Sequence, residues 1–172
     1  MPTSRVSKPP SQDPTASILD SIRRLSRGLR LAAQETQSVA GVSAAQLFVL
    51  RTLEDGEPAS VSQLAERTLT DRSSVASVVE RLLQAKLVSR SPSASDKRRA
   101  AITITTKGRA VVRKAPAAPT TLILNALNEM SSRELKPLAE NLAKLISAIG
   151  FEKGPAYMLF EEKNNSSRRH GR

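Results

Sequence analysis

Leu87-Val88-Ser89-Arg90-Ser91-Pro92-Ser93-Ala94-Ser95-Asp96-Lys97-Arg98-Arg99-Ala100-Ala101-Ile102-Thr103-Ile104-Thr105 is the stretch on which the fold turns. Its two ends are short β-type runs, the second with clean apolar–polar alternation. The middle, Ser91 to Arg99, is too polar for a core and rich in turn formers, so the stretch predicts a β-hairpin with a long basic tip. Immediately upstream the period is helical. A helix is predicted from about Asp71 to Lys86, with Val75, Val78, Val79, Leu82 and Leu83 on its buried side. Its other side carries Arg72, Ser73, Ala76, Ser77, Arg81 and Gln84, all small or polar.

Working outward, Ser60-Val61-Ser62-Gln63 and Ser43-Ala44-Ala45-Gln46 both have the form of a capping box. In that motif the first hydroxyl accepts from the third amide and the Gln side chain reaches back. They predict helices over about 60–67 and 43–54, separated by the breaker run Asp55-Gly56-Glu57-Pro58. Asp13-Pro14 predicts a further helix start, a capping side chain followed by proline at the first helical position. Ile18, Ile22, Leu25 and Leu29 then form one helical stripe in a helix of roughly 14–37. After the hairpin the helical pattern resumes at Thr106 and again over Leu122 to Met130. A third box, Ser131-Ser132-Arg133-Glu134, opens a last helix with Leu135, Leu138, Leu142, Leu145 and Ile149 at heptad spacing.

Three short helices followed by a two-stranded hairpin describe a winged helix-turn-helix. The expected class is mainly α with a small β-hairpin. A winged helix-turn-helix domain over 41–105 is joined to a helical dimerisation region formed by 14–40 and 106–150. Residues 1–13, with three Pro and almost no apolar content, are expected to be a disordered arm, and 151–172 a tail. Three of the four aromatic residues (Phe151, Tyr157 and Phe160) lie in that tail, which is therefore expected to dock somewhere.

A recognition helix needs small polar groups outside, so that its backbone can enter a major groove ~12 Å wide and reach base edges. Arg72, Ser73, Ser74, Ser77 and Arg81 are the candidates on the helix. Arg90, Lys97, Arg98, Arg99 and Lys107 are the candidates on the hairpin and its exit, where cations can lie along phosphates or enter a minor groove. The charge distribution supports this reading. The formal net charge is +11, and the segment Lys86–Lys114 holds nine Lys or Arg against the single acid Asp96. From Ala115 to Ile149, three bases balance three acids. A solvated face would mix signs; this chain concentrates them.

At these positions the chain resembles the MarR (multiple antibiotic resistance regulator) family. Leu87-Val88-Ser89-Arg90, Asp96-Lys97-Arg98-Arg99 and Ile104-Thr105-Thr106-Lys107-Gly108 look like that family's strand, wing tip and return into a helix. Asp71-Arg72-Ser73-Ser74-Val75 and Val79-Glu80-Arg81-Leu82 resemble its recognition helix. The resemblance covers roughly residues 15–150 and is most specific over 71–108. It implies a homodimer that binds double-stranded DNA at a near-palindromic operator, with repression relieved by a small ligand, aromatic or phenolic by the family's habit. It also implies that Arg98 enters the minor groove, that Asp96 orients it, and that Arg99 adds a phosphate contact. The first helix and the last two would form the dimer interface, with Ile18, Ile22, Leu25, Leu135, Leu138, Leu142, Leu145 and Ile149 as its residues. One departure stands out. Pro116 and Pro119 fall where the family has an unbroken helix, so a kink or break is expected near 112–119.

Composition narrows the remaining classes. With no Cys, thiolate nucleophiles, Cys-bound zinc and thiol redox switches are excluded. The only His is His170, two residues from the end, which leaves no basis for His-dependent catalysis or a His-rich metal site. No enzyme activity, cofactor or metal is expected. No run approaches the ~20 apolar residues of a membrane span, and residues 1–13 lack the apolar core of a secretory signal, so a cytoplasmic protein is expected. The competing class is an architectural nucleic-acid binder with little sequence preference, separable by the ratio of operator to random-DNA affinity.

Overall fold

The computed structural model describes residues 13–92, 100–151 and 157–161. Its elements run α1 (Pro14–Ala40), α2 (Ala44–Thr52), α3 (Val61–Thr68), α4 (Arg72–Gln84), β1 (Val88–Pro92), β2 (Ala100–Ile104), α5 (Thr106–Lys114), α6 (Pro119–Asn128) and α7 (Ser132–Ala148). This is a mainly helical fold with one antiparallel hairpin. Its register runs from Val88 opposite Ile104 to Pro92 opposite Ala100.

The helix starts follow the capping side chains. Asp13 accepts from the Thr15 amide at 2.9 Å with Pro14 behind it. In α2 the Gln46 amide donates to Ser43 Oγ at 3.3 Å, and the Ser43 amide donates to Gln46 Oε1 at 2.9 Å. The same reciprocal pair opens α3, at 3.2 and 2.8 Å between Ser60 and Gln63. At α7 the Glu134 carboxylate accepts from both the amide and the hydroxyl of Ser131, at 2.9 and 2.6 Å. These bonds satisfy donors that a helix start otherwise leaves orphaned. The first helix is longer than its apolar stripe suggests. It runs to Ala40 and is stopped by Gly41, whose left-handed φ of 68° sends its amide back to the Gln37 carbonyl.

The core lies in the middle of the chain. Leu47, Leu50, Leu53, Leu64, Val75, Val78, Val79, Leu82 and Ile102 are fully buried, and Phe48, Leu87, Val88 and Ile104 close over them. One pairing has no periodic signature in the sequence. Ala59, just before α3, exchanges two backbone hydrogen bonds with Ile102, at 3.0 and 2.8 Å. This bridge fastens the hairpin to the helix-turn-helix. The return from β2 into α5 requires Gly108, because a Cβ there would run into the Leu87 carbonyl oxygen and lie 2.8 Å from Ile104 Cγ1.

The two prolines break the helix after the hairpin as expected. α5 ends at Lys114, and α6 begins with Pro119 at its first position. Arg51 of α2 holds the connection, its guanidinium donating to the carbonyls of Ala115 and Pro116 at 3.3 and 3.2 Å. Pro137 lies inside α7 and removes one rung of its ladder, a feature that the heptad pattern conceals. Among the described residues, α7 buries none and α1 buries only Thr36.

Candidate nucleic-acid interface

α3 and α4 meet through a tight turn. Leu69 takes a left-handed conformation there (φ 53°, ψ 41°), and the Thr70 amide returns to the Ala65 carbonyl at 3.0 Å. Asp71 then caps α4, accepting the Ser73 amide at 2.7 Å and the Ser73 hydroxyl as well. The Ser73 hydroxyl, then its amide, hold the Asp71 carboxyl below the usual carboxylate range. The N-terminal turn of α4 is thus fixed by an ionised cap at neutral pH.

From this start, Arg72 and Ser73 are exposed, and Ser77 and Arg81 lie half-buried one and two turns on, with Arg81 Nη2 3.5 Å from Ser77 Oγ. These four share the outward side of α4. Ser74 does not. It is 1% exposed, and its hydroxyl accepts the Met158 amide at 3.1 Å and donates to the Glu161 carboxylate. Its expected place among the DNA contacts is therefore corrected. Ser74 lies on the flank between the core residue Val78 and the outward side of α4, and the segment 157–161 covers it.

Arg90 is exposed on β1 beside α4. Lys107 is exposed, but its ammonium donates to the Ala85 carbonyl at 3.0 Å, closing the C-terminal end of α4. Arg109 similarly donates to the Glu54 carbonyl at 2.8 Å, and Arg67 holds Asp55 and Glu57 at 3.7 and 3.9 Å. Part of the basic charge therefore braces the domain. Asp96, Lys97, Arg98 and Arg99 lie outside the described residues, as does most of the N-terminal stretch 1–13.

The expected interface residues lie on the surface. Ile18, Ile22, Leu25, Leu142, Leu145 and Ile149 are between 39% and 57% exposed, while Leu135 and Leu138 are half-buried. The tail segment 157–161, by contrast, is packed. Met158 is 6% exposed and belongs to the core cluster, and with Tyr157, Phe160 and Glu161 it forms one wall of a cleft of about 560 Å³ whose other wall is Ser73, Ser74 and Ser77. The sequence signal for this was the aromatic bias of the last 22 residues; the place of docking had none.

A helix-turn-helix whose second helix is capped and turned outward, followed by an antiparallel hairpin bridged back to it, defines a winged helix-turn-helix protein. The MarR family model matches residues 40–99, the span from the end of α1 through β1 to the residue before β2. The chain is 28% identical over 137 residues to the HTH-type transcriptional repressor MdtR of Bacillus subtilis (strain 168), covering 80% of this chain and 83% of that protein. Among solved structures it resembles Bordetella bronchiseptica BpsR, whose DNA binding is regulated by 6-hydroxynicotinic acid. The TM-score is 0.51 at 25% identity, over 81% of this chain and 96% of that one. It also resembles a probable transcriptional regulator from Pseudomonas aeruginosa, with TM-score 0.50 at 28% identity over 75% and 96%. Over residues 40–99 the chain thus matches the MarR family model, and along most of its length it is similar to DNA-binding transcription regulators. Among the described residues, no helix is long and apolar enough to cross a membrane.

Proposed function

We propose that the chain is a sequence-specific repressor that binds a near-palindromic operator as a homodimer and is released by a small effector. The observation that carries this reading is the outward side of α4. Arg72, Ser73, Ser77 and Arg81 follow a capped N-terminus on a helix slim enough for the major groove, with Arg90 on the adjoining strand. Phosphate contacts outnumber base contacts in such interfaces, so Arg72 and Arg90 hold the backbone while Ser73 and Ser77 face base edges. The wing residues Lys97, Arg98 and Arg99 extend the contact into the flanking groove, with Asp96 orienting Arg98.

The homodimer is supported by α1 and α7. An isolated 17-residue helix is marginal in water, and α7 presents its apolar stripe outward with nothing buried. A second copy offers the same stripes in return, which is what a two-fold interface requires. An aromatic effector is in keeping with BpsR, whose regulator is an aromatic acid.

The test is fluorescence anisotropy of the full chain against the DNA upstream of its own gene and against random DNA. A specific repressor gives an affinity ratio of ~10³ or more. A ratio near one would return the protein to the architectural class.

A further inference from the structure

The tail segment Tyr157–Glu161 sits on the helix that reads DNA. Its attachment is specific: the Met158 amide donates to Ser74 Oγ at 3.1 Å, the Ser74 hydroxyl donates to Glu161, and the Met158 side chain enters the core cluster. Phe160 continues past α4 and lines a second cleft beside Arg30, Gln34 and Gln37 of α1 and Ser43 at the start of α2. The segment therefore joins the first helix to the reading helix along the flank that carries Ser73 and Ser77.

This placement conflicts with groove entry. A helix with its side chains is ~10–12 Å across and already fills a major groove ~12 Å wide. A chain segment bonded to Ser74 and facing Ser73 and Ser77 across a cleft occupies space that the groove walls would need on that side of α4. Glu161 also brings a carboxylate to the flank of α4 beside Ser73 and Ser77, where a polyanion would be repelled. The segment is held by few contacts, two hydrogen bonds to Ser74 and one buried Met side chain, and Phe160 takes a left-handed φ of 59°.

We propose that Tyr157–Glu161 is an autoinhibitory latch, a built-in anionic competitor that must leave α4 before DNA can enter. The inference rests on the DNA-reading role of α4 proposed above. Only the latch-open fraction binds, so the apparent Kd of the native chain exceeds that of the open form by the inverse of that fraction. Burial of one Met side chain shifts a closed-to-open ratio by roughly ten- to a hundredfold. Releasing it tightens DNA binding by about tenfold, equally on operator and random DNA.

The experiment uses the full chain and two variants, Met158→Asp and Met158→Asn, in anisotropy titrations on both DNAs, with melting curves recorded for each. Met158→Asp is the discriminating change, because an added negative charge weakens DNA binding by simple electrostatics and tightens it by latch release. The second readout uses Tyr157, the only tyrosine in the chain, labelled as 3-fluorotyrosine for ¹⁹F NMR. In the native protein its single resonance is expected to move, on addition of operator DNA, to the position seen in free Met158→Asn. Tighter binding by both variants with an unchanged operator-to-random ratio supports the latch. Unchanged or weaker binding by variants that melt normally overturns it. So does a ¹⁹F resonance that stays in place when DNA binds, and this readout holds even where a variant fails to fold. A wild-type operator-to-random ratio near one overturns the repressor reading instead, and leaves the tail measurement to decide the latch alone.

Discussion

Leu82 of α4 and Leu142 of α7 occupy the same kind of position, the apolar stripe of an amphipathic helix, and meet opposite surroundings. Leu82 is fully buried beneath α2, α3 and the hairpin, whereas Leu142 is 49% exposed. The difference runs through both regions. The segment from Val42 to Val112 supplies nearly all of the core, with its own caps, its bridge from Ala59 to Ile102 and its return at Gly108. The terminal helices carry stripes of similar regularity and bury almost none of them. A reading head can close on itself because hairpin and helices face one another over a few residues of connection. Among the described residues, little covers the apolar stripes of the long helices at the two ends, and on the proposed reading a second copy of the chain does so.

The same chemical change should therefore give opposite results in the two regions. Val78→Asp buries an unpaired charge in the head and should cost more than about 4 kcal/mol. The expected outcome is loss of the cooperative thermal transition followed by circular dichroism. Leu138→Asp combined with Leu142→Asp places two charges on the stripe of α7. The head should stay folded, with protected amides in α2–α4 by hydrogen exchange, while dimer mass and operator binding are lost. If both substitutions unfolded the protein alike, the distinction between the regions would fail.

Within the head, the wing sharpens the picture by sign. Arg98→Ala should weaken operator binding by roughly 1–3 kcal/mol, most on sites with A·T-rich flanks. Asp96→Ala should weaken it in the same direction although it removes a negative charge, because on the proposed reading Asp96 orients the arginine. Titrations on operators that differ only in their flanks check both, and tighter binding by Asp96→Ala would return that residue to an ordinary turn position. The smallest effect is at Leu69, which holds a left-handed conformation at 77% exposure in the turn before α4. Leu69→Gly should raise stability by about 1 kcal/mol, measured by denaturant midpoint, with the operator-to-random ratio unchanged.

How much of this could be read from the chain follows from the range of each interaction. The capping boxes at Ser43 and Ser60, the change of period at Leu87 and the break at Pro116 and Pro119 are local, and local chemistry is written in neighbouring residues. Helix ends shift by one to three residues because the last turn depends on cap geometry rather than on the apolar stripe. Ser74 read as a contact because serine counts as polar, yet the segment 157–161, more than eighty residues away in the chain, covers it. The bridge between Ala59 and Ile102 involves one pair and leaves no periodic trace. Lys107 read as a DNA contact, and its bond to the Ala85 carbonyl depends on where the hairpin returns the start of α5. The tail announced itself by its aromatic residues, but nothing local named α4 as its seat.

The contrast between a self-contained head and unfinished terminal helices is tested most directly by the mass of the full chain in solution. Light scattering coupled to size exclusion, run across a hundredfold range of concentration, reports it without DNA or label. The expected result is a particle of twice the chain mass of 18.6 kDa that persists to low concentration. A chain that stays monomeric throughout, with α1 and α7 still helical by circular dichroism, would contradict it.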